Sequence, residues 1–348
     1  MVRSLLLAVS VLIVCPPIRA QSTATLRAID VYRSAALPAD GARKRFNERL
    51  REIVTLRNSR RPSDAGKAEV LRRKIESEAA KTPGVAFASL TISEYYTSVD
   101  HAMYAVFDVV DETDASRLAF SPAPKGSLED PDGLLAAWKA FVEMGERLSR
   151  RGQMALDRPS CPGFYCLWGG TPEIDAAHRR FVEGASKYGA DLRRVLDVDA
   201  DGEKRAAALF VLSYSASVDL VAALGRKALS DPDARVRGAA LQIMADIANN
   251  HRDVTLDLAP VLPRLDDPSA GVRGKAMGLL VPLAEKPLCR KAMLAAAPRL
   301  AALLRVEQPE SRDLSFTLLG LLSRKNWDRR DFIAWDAWAA KAAAGEAD

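Results

Sequence analysis

The sequence predicts a mainly α protein in which an α-solenoid of helical hairpins follows a small α+β domain with a β-hairpin. The first observation is a repeat: DPDARVRGAALQIMADIAN starts at Asp231 and returns at Asp267 as DPSAGVRGKAMGLLVPLAE, 36 residues later. A fainter copy starts at Asp199 and an eroded one near Gln308. Periods of this length are typical of stacked helical hairpins. The second observation is a pair of β-rich runs, AFASLTIS and MYAVFDVV, which predict the hairpin.

Each repeat is predicted to form two helices. Asp231 is expected to cap the first helix, because its carboxylate can accept from free amides, and Pro232 suits the first turn. Apolar residues then recur at helical spacing until the segment ends near 249–250. A second run, Leu256 to Leu265, is expected to form the return helix. Such a pair leaves apolar surface uncovered on both sides, so it requires neighbours.

The pattern D-P-x-x-x-V-R resembles the HEAT-like repeats that also occur in phycobilisome lyases. Arg205, Arg237 and Arg273 match the repeated arginine of that family. The resemblance covers roughly residues 172–340. It implies a right-handed superhelix in which an Asp/Arg ladder links adjacent turns. It implies little about function, because such repeats serve many partners.

The N-terminus reads as a secretory signal peptide over residues 1–20. Arg3 provides the positive charge, an apolar run follows, and a plausible cleavage site precedes Gln21. The protein is therefore expected to be exported to the periplasm or the extracellular space. A lipoprotein anchored through Cys15 and a buried first helix are the alternatives. No later apolar run is long enough to span a bilayer.

The net charge limits the classes of partner that the chain is expected to bind. Removing residues 1–20 leaves 48 basic and 45 acidic residues, a net charge of +3. This mild charge does not indicate a dedicated nucleic-acid binder.

In an oxidising compartment Cys161 and Cys166 are predicted to form a disulfide, with a metal site as the alternative, and Cys289 to stay free and buried. Residues 156–171, the loop that contains Cys161 and Cys166, are expected to form a hinge between the α+β domain and the solenoid.

That hinge carries four large side chains: Phe164, Tyr165, Leu167 and Trp168. They are expected to seal the exposed end of the first repeat, because terminal repeats need a cap. A recognition tip is the alternative.

The region before the hinge is predicted to form the α+β domain, over residues 41–155. Residues 21–40 are expected to be a loose leader. Spacing of apolar residues predicts helices over 41–57, 63–81 and 132–152 and strands over 85–93 and 103–111. In the second helix, Val70, Leu71 and Ile75 are expected to face inward.

The run Asp197, Asp199, Asp201 and Gly202 resembles the start of an EF-hand-type calcium loop. The bidentate carboxylate expected at the twelfth position is missing, since Ala208 stands there. The alternative is a capping turn of the repeat. No catalytic motif is recognised, no cofactor is expected, and the three histidines are far apart in sequence, with His178 expected on a helix surface.

The function that these patterns favour is a non-catalytic protein-interaction scaffold that binds a protein or peptide. An acidic partner would suit six basic residues expected on the return helices: Arg226, Lys227, Arg264, Arg290, Lys291 and Arg299. One alternative is an enzyme or enzyme subunit with its site in the α+β domain. The other is a peripheral membrane protein that uses residues 43–74, which hold 12 basic and four acidic residues.

Overall fold

The chain is mainly helical, with a small three-stranded sheet near its N-terminus. The computed structural model describes residues 23–59, 61–96, 100–150, 161–165, 171–251 and 254–346. The predicted signal peptide and Cys15 lie outside the described residues. In the described part of the chain, no helix combines the length and the apolar character that crossing a membrane requires.

The sheet consists of β1 (Thr25–Tyr32), β2 (Val85–Tyr96) and β3 (His101–Asp111) in the order β1-β3-β2. The antiparallel pairing of β2 and β3 confirms the predicted hairpin. The expectation of a loose leader was wrong, because β1 pairs with β3 in parallel. A short half-polar segment such as TLRAIDVY gives no periodicity that shows which strand it will meet. With a partner on each side, β3 is buried along almost its whole length.

Two helices, α1 (Ala39–Asn58) and α2 (Pro62–Ala80), pack against the sheet near their predicted bounds. Phe46 of α1 stacks on Phe107 of β3 with ring centroids 5.2 Å apart. Ile75 is buried as expected, but Val70 is 69% exposed, since the buried positions of α2 follow a helical stripe that passes beside it. The salt-bridged side chains of α2 also cover the outer edge of β2 at Leu90.

The third helix, α3 (Leu134–Arg150), joins the helical core and not the sheet. Leu134, Trp138 and Phe141 are buried against α4 (Pro172–Lys187) and α6 (Gly202–Leu212). This packing differs from the expectation that α3 completes the α+β domain, because an amphipathic pattern shows which face is buried but not its partner. We call α3 to α13 the helical half.

Among its described residues, the rest of the helical half contains eight further helices. They are α5 (Gly189–Val198), α7 (Val218–Ala228), α8 (Ala234–Asn250), α9 (Ala270–Leu280), α10 (Pro287–Leu294), α11 (Ala297–Leu303), α12 (Pro309–Ser323) and α13 (Phe332–Ala344). Helices α6, α8, α9 and α12 each pack on the next. The predicted return helix over 256–265 was wrong: Pro260 and Pro263 interrupt it, leaving only a 3-10 helix, Leu262–Asp266.

We call the turns that begin at Asp199, Asp231 and Asp267 the Asp turns. Successive Asp turns are joined by the same arrangement of hydrogen bonds. Asp231 accepts from Arg205 at 2.6 and 2.9 Å, and Asp267 accepts from Arg237 at 2.8 Å twice. Both pairs are buried. Asp231 does not cap α8, as had been expected. That role falls to Asp233, because Asp231 already accepts from the Asp233 N–H and so holds the turn ahead of the helix.

The third arginine departs from the ladder that the resemblance implies. Gln308 stands where the next aspartate would be, and Arg273 instead donates to Asp108 of β3 at 2.6 Å. Both side chains are 1% exposed, and Asp108 also accepts from the Ala270 N–H at 2.8 Å. The neighbouring strand contributes Asp30, which accepts from the Gln308 N–H at 2.8 Å. The sheet therefore supplies Asp108 as the carboxylate partner of Arg273, and Asp30 as an acceptor for the Gln308 backbone.

A strap, residues 117–130, connects β3 to α3 and runs back along the Asp turns. Arg117 donates to the Asp266 carbonyl at 2.9 Å, and the Phe120 ring lies 4.0 Å from the Arg237 guanidinium carbon. Farther along, Gly126 exchanges backbone hydrogen bonds with Val198 and Ala200. A Cβ at Gly126 would stand 2.7 Å from the Val198 carbonyl, so this close approach requires glycine.

Candidate functional site

A groove crosses α3, α6, α8 and α9 on the surface of the helical half. Its first part is a cleft of about 580 Å³ between α3 and α6. Its second part is a shallower depression of about 340 Å³ across α6, α8 and α9. Phe210 and Arg235 line both parts, so the two are continuous. We call the two parts the cleft and the depression.

The floor of the cleft is apolar and braced by aromatic rings. Trp138 of α3 stacks on Phe210 of α6 with centroids 4.7 Å apart and planes 17° apart. Tyr165 of the hinge loop packs on the same Phe210 at 4.8 Å and is buried. Because Trp138 is held on several sides, the floor is preformed and Phe210 keeps a partly exposed ring.

The rim of the cleft is charged, and its three cations all have partners. Lys139 lies 3.2 Å from Glu203, and Arg235 lies 2.7 Å from Asp233. Lys204 donates to the Leu128 carbonyl at 2.7 Å. The cleft therefore offers apolar contact with little net charge.

Gly238 lines the depression and belongs to a repeat position that holds a small residue in three turns. Ala206, Gly238 and Gly274 each stand seven residues after the first Asp of their turn. A Cβ at Gly238 would lie 3.5 Å from the Lys275 side chain, so the glycine lets the lysine stem lie along α8. Burial lowers the pKa of Lys275, although Glu310 and Asp246 act against that shift. Sequence reasoning missed this site; aligning the repeats would have shown the small residues but not the depth.

The three aspartates of the calcium hypothesis lie at one turn but accept from different donors. Asp199 is buried and accepts from the Leu128 and Asp201 N–H groups. Burial alone would raise the pKa of Asp199, but those hydrogen bonds and Lys204 hold it below its ordinary value. Asp201 caps α6, and Asp197 pairs with Lys227 at 2.7 Å. Within the ranges that the structure describes, no three His, Cys, Asp or Glu side chains are grouped to hold a metal.

The six basic residues proposed for a partner do not form one surface of free charge. Arg264, Arg290 and Arg299 are half-buried and donate within the fold: Arg264 to Asp267, Arg290 to the Leu321 carbonyl, and Arg299 to Asp266 and the Leu262 carbonyl. Arg226, Lys227 and Lys291 are exposed.

Six basic residues of 43–74 form ion pairs with acids of the same two helices. Arg49 forms a bidentate pair with Glu78 at 2.7 Å, and Arg72 contacts both Glu69 and Glu76. The hydrogen bond from Ser59, together with Lys67 and Arg61, lowers the pKa of Asp64 to about 2. This pairing reduces the excess positive charge through which these helices would be attracted to an anionic membrane surface.

The hinge is described only in part. Cys166, Leu167 and Trp168 lie outside the described residues, and so do the predicted disulfide and two of the four large side chains. The Phe164 N–H donates to the Ser213 carbonyl at 2.7 Å, and its ring contacts His251. Cys289 is free and buried, as predicted.

The histidines lie in three separate places. His101 contacts Glu94 at 2.8 Å in the sheet, and His251 packs on Phe164. His178 is buried and hydrogen-bonds to the Tyr214 hydroxyl at 2.9 Å, which corrects the expectation that it lies on a helix surface. The reason is its place on α4, beside the aromatic residues under the cleft.

Comparison of the chain with protein families, with curated proteins and with solved structures found no match.

Proposed function

We propose that this chain is an exported, non-catalytic protein-interaction scaffold, that its helical half is a HEAT-like solenoid, and that its binding face is the groove. The observation that carries the proposal is the continuity of the cleft and the depression across α3, α6, α8 and α9. A preformed apolar floor with a polar rim is the arrangement on which protein-binding sites are built.

Repeated turn geometry supports the solenoid part of the proposal. The Arg205–Asp231 and Arg237–Asp267 pairs are equivalent, and their helices pack in chain order. Stacked units of this kind present extended faces to other chains. Export remains a separate proposal that rests on residues 1–20.

The test places a photo-crosslinking amino acid at position 271 or 278 in cells that make the protein. Gly271 lines the depression and has open space beside it, while Gly278 lies on the same helix, is equally unobstructed and does not line the groove. We expect irradiation to give a discrete protein adduct from position 271 and none from 278, with the crosslinked partner segment identified by mass spectrometry. Equal adducts from both positions, or none from 271, would overturn the proposal.

A further inference from the structure

The two parts of the groove differ in chemistry, and the difference defines an occupant. The cleft has an aromatic floor and a rim in which Lys139 and Arg235 already have carboxylate partners. The cleft therefore favours an apolar side chain of the partner. An aromatic or large aliphatic side chain placed on Phe210 would bury apolar surface and contact the ring.

The depression has one cation that remains without a partner in the described part of the chain. No carboxylate oxygen of the described residues lies within 4.0 Å of Lys275 Nζ. The charged groups around it are Glu310 of α12, Asp246 of α8 and the paired Arg235, all of them beyond direct contact. A half-buried ammonium in this state has lost part of its hydration and gained no ion pair, so an incoming carboxylate is favoured.

Resting on the proposed function, we infer that the groove binds an extended peptide segment that places a bulky apolar side chain in the cleft and an Asp or Glu carboxylate at Lys275. An extended chain advances about 3.3 Å per residue, so a few residues are enough to pass from the cleft over Phe210 into the depression. The paired rim does not suit the regular phosphate charge of a nucleic acid.

The experiment selects peptides from a random 12-residue display library on the full exported chain. Selection uses the wild-type chain alone, and the selected peptides are afterwards tested on variant Gly271→Trp, which fills the depression, and on Gly278→Trp as its matched control. We expect the selected peptides to share a large apolar residue and an acidic residue at a constant spacing. Binding should be lost in Gly271→Trp and kept in Gly278→Trp.

Charge reversal then tests the role of Lys275. Replacing the acidic peptide residue by its amide should weaken binding to the wild-type chain about tenfold or more. In Lys275→Glu, the ratio between the dissociation constants of the amide and acid peptides should fall to about one or below one. The exposed Lys291→Glu changes the net charge by the same amount and should leave the ratio unchanged.

The outcomes separate the two proposals. If no acidic residue is enriched, or if Lys275→Glu and Lys291→Glu behave alike, this inference is overturned. The proposed function then survives only if Gly271→Trp still blocks binding while Gly278→Trp does not. Binding that is unchanged in Gly271→Trp overturns both.

Discussion

At the scale of single residues, the stability of the helical half depends on buried arginine–aspartate pairs. Removing one member of such a pair leaves an uncompensated buried charge, which typically costs about 3–5 kcal/mol. The spacing of Asp231, Asp267 and the repeat arginines made two of these pairs predictable from the resemblance. The third pair was not predictable, because Arg273 and Asp108 are separated by 165 positions and Asp108 belongs to no repeat.

A polar cluster between α1 and α2 gives a prediction for one carboxyl group. The Ser59 hydroxyl, Lys67 and Arg61 hold the pKa of Asp64 at about 2, below its ordinary 3.8. Because the folded-state pKa is depressed, the stabilising contribution is present above about pH 4 and is lost as the pH falls through about 2. In Ser59→Ala we expect the pKa of Asp64 to rise toward 3.8, measured by carbon NMR during an acid titration.

The exposed Ser63 lies in the same helix turn as Asp64 and provides the control. Ser63→Ala should leave the Asp64 titration unchanged. A native Asp64 that titrates near 3.8, or an equal shift in both variants, would show that the Ser59 hydrogen bond does not act as described.

At the scale of elements, the helices and the hairpin were largely predictable, and their packing partners were not. Apolar periodicity placed α1, α2 and α3 within a few residues of their observed bounds. It did not show that α3 packs on α4 and α6, nor that β1 exists, because both depend on surfaces that form only in the fold. The groove was missed for the same reason: its depth arises where α3 meets the repeats.

The junction of α3 with α4 gives a prediction at this scale. A Cβ at Gly184 would stand 2.5 Å from the Leu134 side chain, which is buried. Gly184→Ala should therefore lower the free energy of unfolding by about 1–3 kcal/mol, measured by urea denaturation.

Gly189, in the first turn of the next helix, is the matched control, since a Cβ there meets nothing within 4 Å. Gly189→Ala should change stability by no more than about 0.5 kcal/mol or increase it slightly. Equal effects of the two substitutions would contradict the packing of α3 on α4.

At the scale of the whole molecule, the sheet, the strap and the helical half are joined by buried polar contacts. Asp30 and Asp108 of the sheet reach the last repeats, and the Tyr32 hydroxyl donates to Asp266 at 2.9 Å. Burial and the nearby Asp266 raise the pKa of Tyr32 to about 12, which keeps it a hydrogen-bond donor. These contacts lie along the Asp turns, on residues that do not line the groove.

The central claim is that the sheet supplies Asp108 as the carboxylate partner of Arg273, because Gln308 stands where the next repeated aspartate would be. All five tryptophans follow residue 137, so tryptophan fluorescence during urea denaturation reports on the helical half. Asp108→Asn should lower the fluorescence-detected free energy of unfolding by about 3–5 kcal/mol, as much as Asp267→Asn, because each leaves a buried arginine without its carboxylate. Asp100→Asn, which removes an exposed pair with Arg27, should change it by less than about 1 kcal/mol. An effect of Asp108→Asn no larger than that of Asp100→Asn would contradict the claim.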